Sequence, residues 1–267
     1  MSYNKRDHTF AVCAYGESVY LEECIKSVLN QKVKSQVIIT TSTVNSYIKS
    51  MSEKYGIPLF VNKKNMAGIV EDWNFAYECA KTKLVTICHQ DDIYCDEYVE
   101  WLLKKCNGGA DILIFFSNYF ELRNKKRVDK NTLLLVKRIL LSPLKIHAFS
   151  KRKWIRRRIL SLGSPICCPA VTFNKEKISN PIFTDQYKSV LDWDAWEKLS
   201  KMKGEFIYCD KPLMGHRIHE DSLTSEVIRN HIRDKEELEM FQKFWPKILA
   251  KFIWRIYKKS SESNEIK

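Results

Sequence analysis

Apolar residues recur along the chain in short runs separated by amphipathic stretches. Residues 9–14 (TFAVCA) form one such run and stop at Tyr-Gly-Glu-Ser, which predicts a buried strand ending in a loop. Residues 19–31 place Leu21, Ile25, Val28 and Leu29 at helical spacing. Strands are predicted again at 36–40 (QVIIT), 57–61 and 84–88 (LVTIC), and helices at 43–55, before Gly56, and at 68–80. In the last helix Ile69, Trp73, Ala76 and Tyr77 share one side. The pattern continues with a helix over 96–105 and a strand over 111–116 (DILIFF). Such alternation with short connections predicts an α/β fold, a mostly parallel central sheet flanked by helices. Ligands of such sheets sit beyond the carboxyl ends of the strands.

From Arg123 to about Leu162 the character changes to Leu and Ile mixed with Lys and Arg, which predicts basic amphipathic helices at 133–141 and 154–160. Strand–helix alternation then resumes, with a strand at 170–173, a helix at 190–203 and a strand at 206–209. One long C-terminal helix, about 229–258, carries Phe241, Phe244, Trp245, Ile248, Leu249, Phe252, Ile253 and Ile256. The expected division is therefore 1–122, a basic amphipathic helical insertion at 123–162, a second half of the sheet domain at 163–228, and a C-terminal amphipathic helix and tail at 229–267.

Charge sharpens this picture. The net charge of the 267-residue chain is +13. Between Arg123 and Arg158 fourteen Lys and Arg stand against a single acid, Asp129, so this one segment carries the whole excess. A localised basic stretch calls for an anionic partner: a membrane surface, a phosphate-bearing substrate or nucleic acid. Amphipathic basic–aromatic helices suit a membrane interface, or pack on the sheet with their charges solvated. With no nucleic-acid motif present, no nucleic-acid partner is expected. No apolar run approaches the roughly 18 residues of a membrane span, and the N-terminus lacks a signal-peptide core. Nine cysteines without CxxC spacing read as reduced thiols. The expected location is cytoplasmic, peripheral at the inner face of the cell membrane.

The sharpest chemical signal is His89-Gln90-Asp91-Asp92, directly after LVTIC. Adjacent carboxylates repel, and a hard divalent cation offsets that cost and is commonly shared with phosphates. Read alone, the pair is equally a solvated turn or a helix N-cap. Asp192 in LDWDAW is a candidate general base or a first-turn helix acid. Trp193 and Trp196 suit core packing or a sugar platform. His216, Arg217, His219, Ser222 and Thr224 are expected on a loop after the last strand, where cations and hydroxyls suit a diphosphate.

In order along the chain, FAVCAYGESVYLEECIKSVLNQ (10–31), NMAGIVEDWNFAYECAKTKLVTICHQDD (65–92), LDWDAW (191–196) and HRIHEDSLTSE (216–226) together resemble family 2 of the inverting glycosyltransferases. The resemblance spans about 8–120 and 164–226 and implies the GT-A, Rossmann-like fold. It implies that Ala14, Tyr15 and Glu17 contact the nucleotide, with Asn65, Gly68 and Trp73 in a second nucleotide-binding stretch. It implies Mn²⁺ or Mg²⁺ held by Asp91, Asp92 and His219, with Gln90, Asp91, His219 and Ser222 around the donor and Asp192 as catalytic base. Two departures stand out. His89 replaces the first Asp of the family's Asp-x-Asp-Asp pattern. TTSTVN (40–45) lacks the Asp expected after the second strand, leaving Thr41 and Ser42; a hydroxyl reads a pyrimidine edge less selectively than a carboxylate. Ser164-Pro-Ile-Cys-Cys-Pro-Ala-Val171 aligns with an acceptor-side loop, in which Cys167 and Cys168 are lining.

The resemblance implies transfer of a sugar from a nucleotide-sugar donor, UDP-linked, to a lipid-linked saccharide acceptor of a bacterial surface polymer. A non-catalytic membrane-surface module that keeps the fold is the alternative, favoured by His89 and Thr41. A nucleotidyltransferase would need a Gly/Arg-rich phosphate loop that Tyr15-Gly16-Glu17 does not supply.

Overall fold

A computed structural model describes residues 2–64, 68–108, 111–219 and 232–262, with side chains through Lys259. The N-terminal half builds β1 (His8–Cys13), α1 (Leu21–Leu29), β2 (Gln36–Thr41), α2 (Ser46–Tyr55), β3 (Leu59–Val61), α3 (Ile69–Cys79), β4 (Leu84–His89), β5 (Ile93–Tyr94) and α4 (Tyr98–Cys106). Local chemistry sets several of these ends. Asn45 Oδ1 accepts the Ile48 N–H at 2.8 Å and starts α2, and Gly56 at φ +60° ends it. The Gly68 N–H donates to Glu71 Oε2 at 3.0 Å and fixes the first turn of α3.

Next come β6 (Ile112–Arg123), β7 (Lys126–Val128), α5 (Thr132–Leu141), α6 (His147–Ser150), α7 (Lys153–Leu160), β8 (Val171–Asn174), α8 (Leu191–Ser200), β9 (Glu205–Ile218), α9 (Ile232–Gln242) and α10 (Lys247–Glu262). The nine strands form one sheet in the order β3-β2-β1-β4-β8-β6-β9-β5, with β7 on β6. From β3 to β4 the strands are parallel, as is the longest ladder, β6 with β9; the antiparallel pairings, around β8, β5 and β7, are short.

Strand periodicity divides the core into two layers. Phe10 and Val12 of β1, with Leu84 and Cys88 of β4, pack against α1, α2 and α4. Ala11, Val85 and Ile87 point the other way, toward α3, α7, α8 and the C-terminal helices.

Three sequence-based expectations change here. The strands expected at 111–116 and 206–209 extend to Arg123 and Ile218, because β6 and β9 pair along their whole lengths. His216 and Arg217 therefore lie on a strand and not on a loop. The single C-terminal helix is two, broken at Pro246, which lacks an N–H and clashes with the preceding turn of a continuing helix.

Candidate active site

The turn Gln90–Asp92 joins β4 to β5, and β5 pairs with β9, so both acids are held between two strands. Asp92 is completely buried. Its Oδ1 accepts the Arg217 N–H at 2.8 Å and lies 3.1 Å from His216 Nδ1. Its Oδ2 has no hydrogen-bond partner and faces His89 Nδ1 at 3.8 Å. The Asp91 carbonyl accepts Arg217 Nε at 2.8 Å, and its Oδ2 is 2.9 Å from His219 Nε2. Arg217 also donates to Glu23 Oε2 at 2.6 Å and lies over the Tyr20 ring. His89 stacks on Trp73, ring centroids 4.8 Å apart and planes 13° from parallel, and its buried Nε2 has no partner.

One ligand atom each from His89, Asp91 and Asp92 lies within 4.8 Å of the others. A set of this size, with the buried Asp92 Oδ2 left without a partner, fits a divalent cation. Burial pushes the His89 pKa down against the opposing fields of Asp92 and Asp91. Burial also opposes ionisation of Asp91, but the His219 hydrogen bond and the fields of His89 and His216 outweigh it, and the carboxyl sits below its usual range. Burial disfavours charge on His216, and the field and hydrogen bond of Asp92 override it, so its pKa is raised. The grouping of His89 with the acid pair, and the Arg217–Glu23 clamp, were not assigned from sequence. The signal for the first was the imidazole standing where an acid is expected.

The loop after β1 is tied to the same turn. The Tyr15 N–H donates to Gln90 Oε1 at 2.9 Å, and Gln90 Nε2 donates back to the Tyr15 carbonyl at 3.0 Å. Gly16, at φ +59°, donates its N–H to Thr43 Oγ1 at 2.7 Å. Ala14 is buried, whereas Tyr15 and Glu17 are exposed. Thr41 is buried too, and its Oγ1 accepts the Thr43 N–H at 3.0 Å, so it closes the turn and is not open to a base. The polar groups gathered at that strand end are Ser42 and Asn62, which donate to the two oxygens of Asp72 at 2.6 and 3.0 Å. Gly68 and Trp73 lie in and next to α3 as described; Asn65, Ser222 and Thr224 lie outside the described residues.

Asp192 occupies the first turn of α8, partly exposed. Its Oδ1 accepts the Trp193 N–H at 2.7 Å, and Ser164 Oγ stands 3.5 Å from Oδ2. Burial pushes its pKa up, opposed by the Trp193 N–H and by Lys137, Arg233 and His89. The field of Asp192, like those of Asp92 and Asp91, reaches His89. Asp194 pairs with Lys198 and Lys243 inside the protein. Trp193 and Trp196 are core residues: the Trp193 indole donates to the Leu160 carbonyl, and Trp196 stacks on Phe173. All nine cysteines are unpaired, and burial pushes the Cys167 and Cys168 thiols up, which suits lining and not nucleophilic attack.

A parallel β-α-β half carrying an acid pair at its crevice, joined to a half that supplies a lone acid, defines a glycosyltransferase of the GT-A fold. The chain belongs to glycosyl transferase family 2, whose pattern matches residues 9–177. No curated protein sequence matches it. Among solved structures it is similar to Staphylococcus aureus TarS 1-349 in complex with UDP-GlcNAc (15% identity, 93% of this chain and 70% of that one, TM-score 0.59). It is also similar to the mannosyltransferase PcManGT of Pyrobaculum calidifontis in complex with GDP-Man and Mn²⁺ (14%, 94% and 70%, TM-score 0.61). A third is glucosyl-3-phosphoglycerate synthase of Mycobacterium tuberculosis with Mn²⁺ and UDP-glucose (16%, 84% and 77%, TM-score 0.52).

Proposed function

We propose that the protein is an inverting, metal-dependent glycosyltransferase that moves a hexosyl or N-acetylhexosaminyl group from a UDP-sugar to a hydroxyl of a lipid-linked, surface-polysaccharide acceptor. The observation that carries this is the fully buried, unpartnered Asp92 Oδ2 within the cluster of His89, Asp91 and Asp92. Asp91 and Asp92 with an imidazole from His89 or His219 would hold Mn²⁺ or Mg²⁺; when bound, the cation supplies positive charge against the departing diphosphate. Asp192 takes the proton of the acceptor hydroxyl as its oxygen bonds to the anomeric carbon, while the bond from that carbon to the diphosphate oxygen breaks on the opposite face. Arg217 fixes the Asp91–Asp92 turn from both the main chain and Glu23, so the acids keep one geometry. In this reading Tyr15, Gln90 and the Ser42–Asp72–Asn62 group would contact the nucleotide. The UDP complexes of the TarS and mycobacterial structures support a UDP donor, and a panel of nucleotide sugars tests it against GDP-linked ones.

The membrane part of the proposal rests on exposed apolar residues set among cations. Leu135, Val136 and Ile139 on α5, Trp154 on α7, and Ile248, Leu249, Phe252 and Ile256 on α10 are all open to solvent, alongside Lys247, Lys251 and Arg255. Among the described residues no helix is long and apolar enough to cross a membrane. Segments 123–162 and 229–267 would thus lie on an anionic membrane surface, with 1–122 and 163–228 serving donor and acceptor.

Product formation from a UDP-sugar with Mn²⁺ is the test. Asp192→Asn is expected to lower kcat by about 10²-fold or more while UDP–Mn²⁺ still raises Tm. Asp91→Asn is expected to lose both turnover and that Tm shift. Wild-type turnover in both variants would remove the catalytic assignment.

A further inference from the structure

Lys137 belongs to the basic insertion and to none of the motifs above. On α5 its side chain turns toward the sheet, where Nζ donates to the Tyr119 hydroxyl at 2.9 Å and lies 5.2 Å from that ring's centroid. The Tyr119 ring meets His216 edge-on at 6.2 Å, and His216 is the histidine 3.1 Å from Asp92. The Lys137 charge also acts on Asp192. This ammonium is therefore linked through Tyr119 and His216 to Asp92, and its field reaches the lone acid.

Its company makes it unusual. Other cations of the insertion have carboxylate partners, Arg127 with Asp129, Lys145 with Asp210, Lys151 with Glu205 and Arg157 with Glu197, or, like Arg138 and the buried Arg156, donate to backbone carbonyls. Lys137, half-buried, has none among the described residues, and its one hydrogen bond goes to a neutral phenol. Withdrawing an ammonium from water without a counter-charge is costly, and a chain retains such a group where an anion arrives.

We propose that Lys137 binds a phosphate group between Asp92 and Asp192. The phosphate is either the departing diphosphate of the donor or one carried by the acceptor beside its reacting hydroxyl. This rests on the proposed glycosyl transfer and assigns to the insertion a direct part in substrate binding.

Isothermal titration of Lys137→Met and Lys137→Arg tests it, with UDP–Mn²⁺ as one probe and inorganic phosphate added to UDP–Mn²⁺-saturated protein as the other. Loss of a charged hydrogen bond predicts roughly tenfold or more weaker binding in the Met variant, with Arg close to wild type. Weakening of UDP–Mn²⁺ supports the proposal and identifies the donor diphosphate. Unchanged UDP–Mn²⁺ with weakened inorganic phosphate supports it and identifies the acceptor. A folded Met variant matching wild type in both titrations overturns it; if Met prevents folding, Lys137→Gln is read by the same criteria. Absence of UDP–Mn²⁺ binding in the wild type counts against the donor assignment alone, and phosphate titrated into the nucleotide-free protein then decides Lys137.

Discussion

Asp192 shows how one carboxyl is adapted to a task. The first turn of α8 and the Trp193 N–H favour its charge, and burial opposes it and wins. As the proposed base, Asp192 must be deprotonated to act, so its contribution disappears as pH falls through its pKa. With that pKa raised, the acid limb of kcat/KM is expected above the usual carboxylate range near 4. Lys137 and Arg233 hold it down, so Lys137→Met should move the limb to still higher pH; a pH–rate profile checks both. This acid, the 91–92 pair and the buried tryptophans were legible as residue types at fixed spacing. The roles proposed for His89 and Lys137 were not, because each depends on which atoms lack partners after folding. Thr41 is buried and its Oγ1 accepts the N–H two residues on, a use of the hydroxyl that spacing does not reveal.

At the scale of elements, β9 depends on the turn that feeds it. Gly204 has φ +137°, and a Cβ there would stand 2.6 Å from Leu113 Cγ and 2.8 Å from the Asp111 carbonyl. Its own carbonyl accepts Arg156 at 2.7 Å. Gly204→Ala is expected to cost about 2–3 kcal/mol from combined backbone strain and overlap. Gly56→Ala, at φ +60° in open space, carries only the backbone part, about 1 kcal/mol. Thermal melts of both variants check the order. Periodicity located nearly every element of the sheet domain, since each buries one face. It under-read β6 and β9, where Ser117, Asn118, Glu121 and Arg217 are polar yet buried because the two strands satisfy each other's backbones. Pro246 was visible in the sequence, and the surrounding aromatic residues concealed the break it makes.

For the whole molecule, the division of charge predicts behaviour at a surface. Vesicles containing anionic lipid should sediment the protein, and neutral vesicles should not. The double variant Phe252→Ser/Ile256→Ser should weaken that binding roughly tenfold while leaving Tm unchanged, because both side chains are exposed. Failure to sediment with anionic vesicles would remove the membrane assignment, and equal sedimentation with both would remove its anionic requirement.

The hydrogen bond from Arg217 to Asp92 spans 125 positions of the chain. A ribosome must therefore deliver most of the polypeptide before the acid pair acquires its clamp. Closing so long a loop is entropically slow, so cation affinity should emerge late in folding and cannot template the first half. A nascent chain released before β9 would hold the acid turn without the strand that gives it shape, and a truncated product would be inert toward nucleotide sugar rather than a partial, unregulated hydrolase.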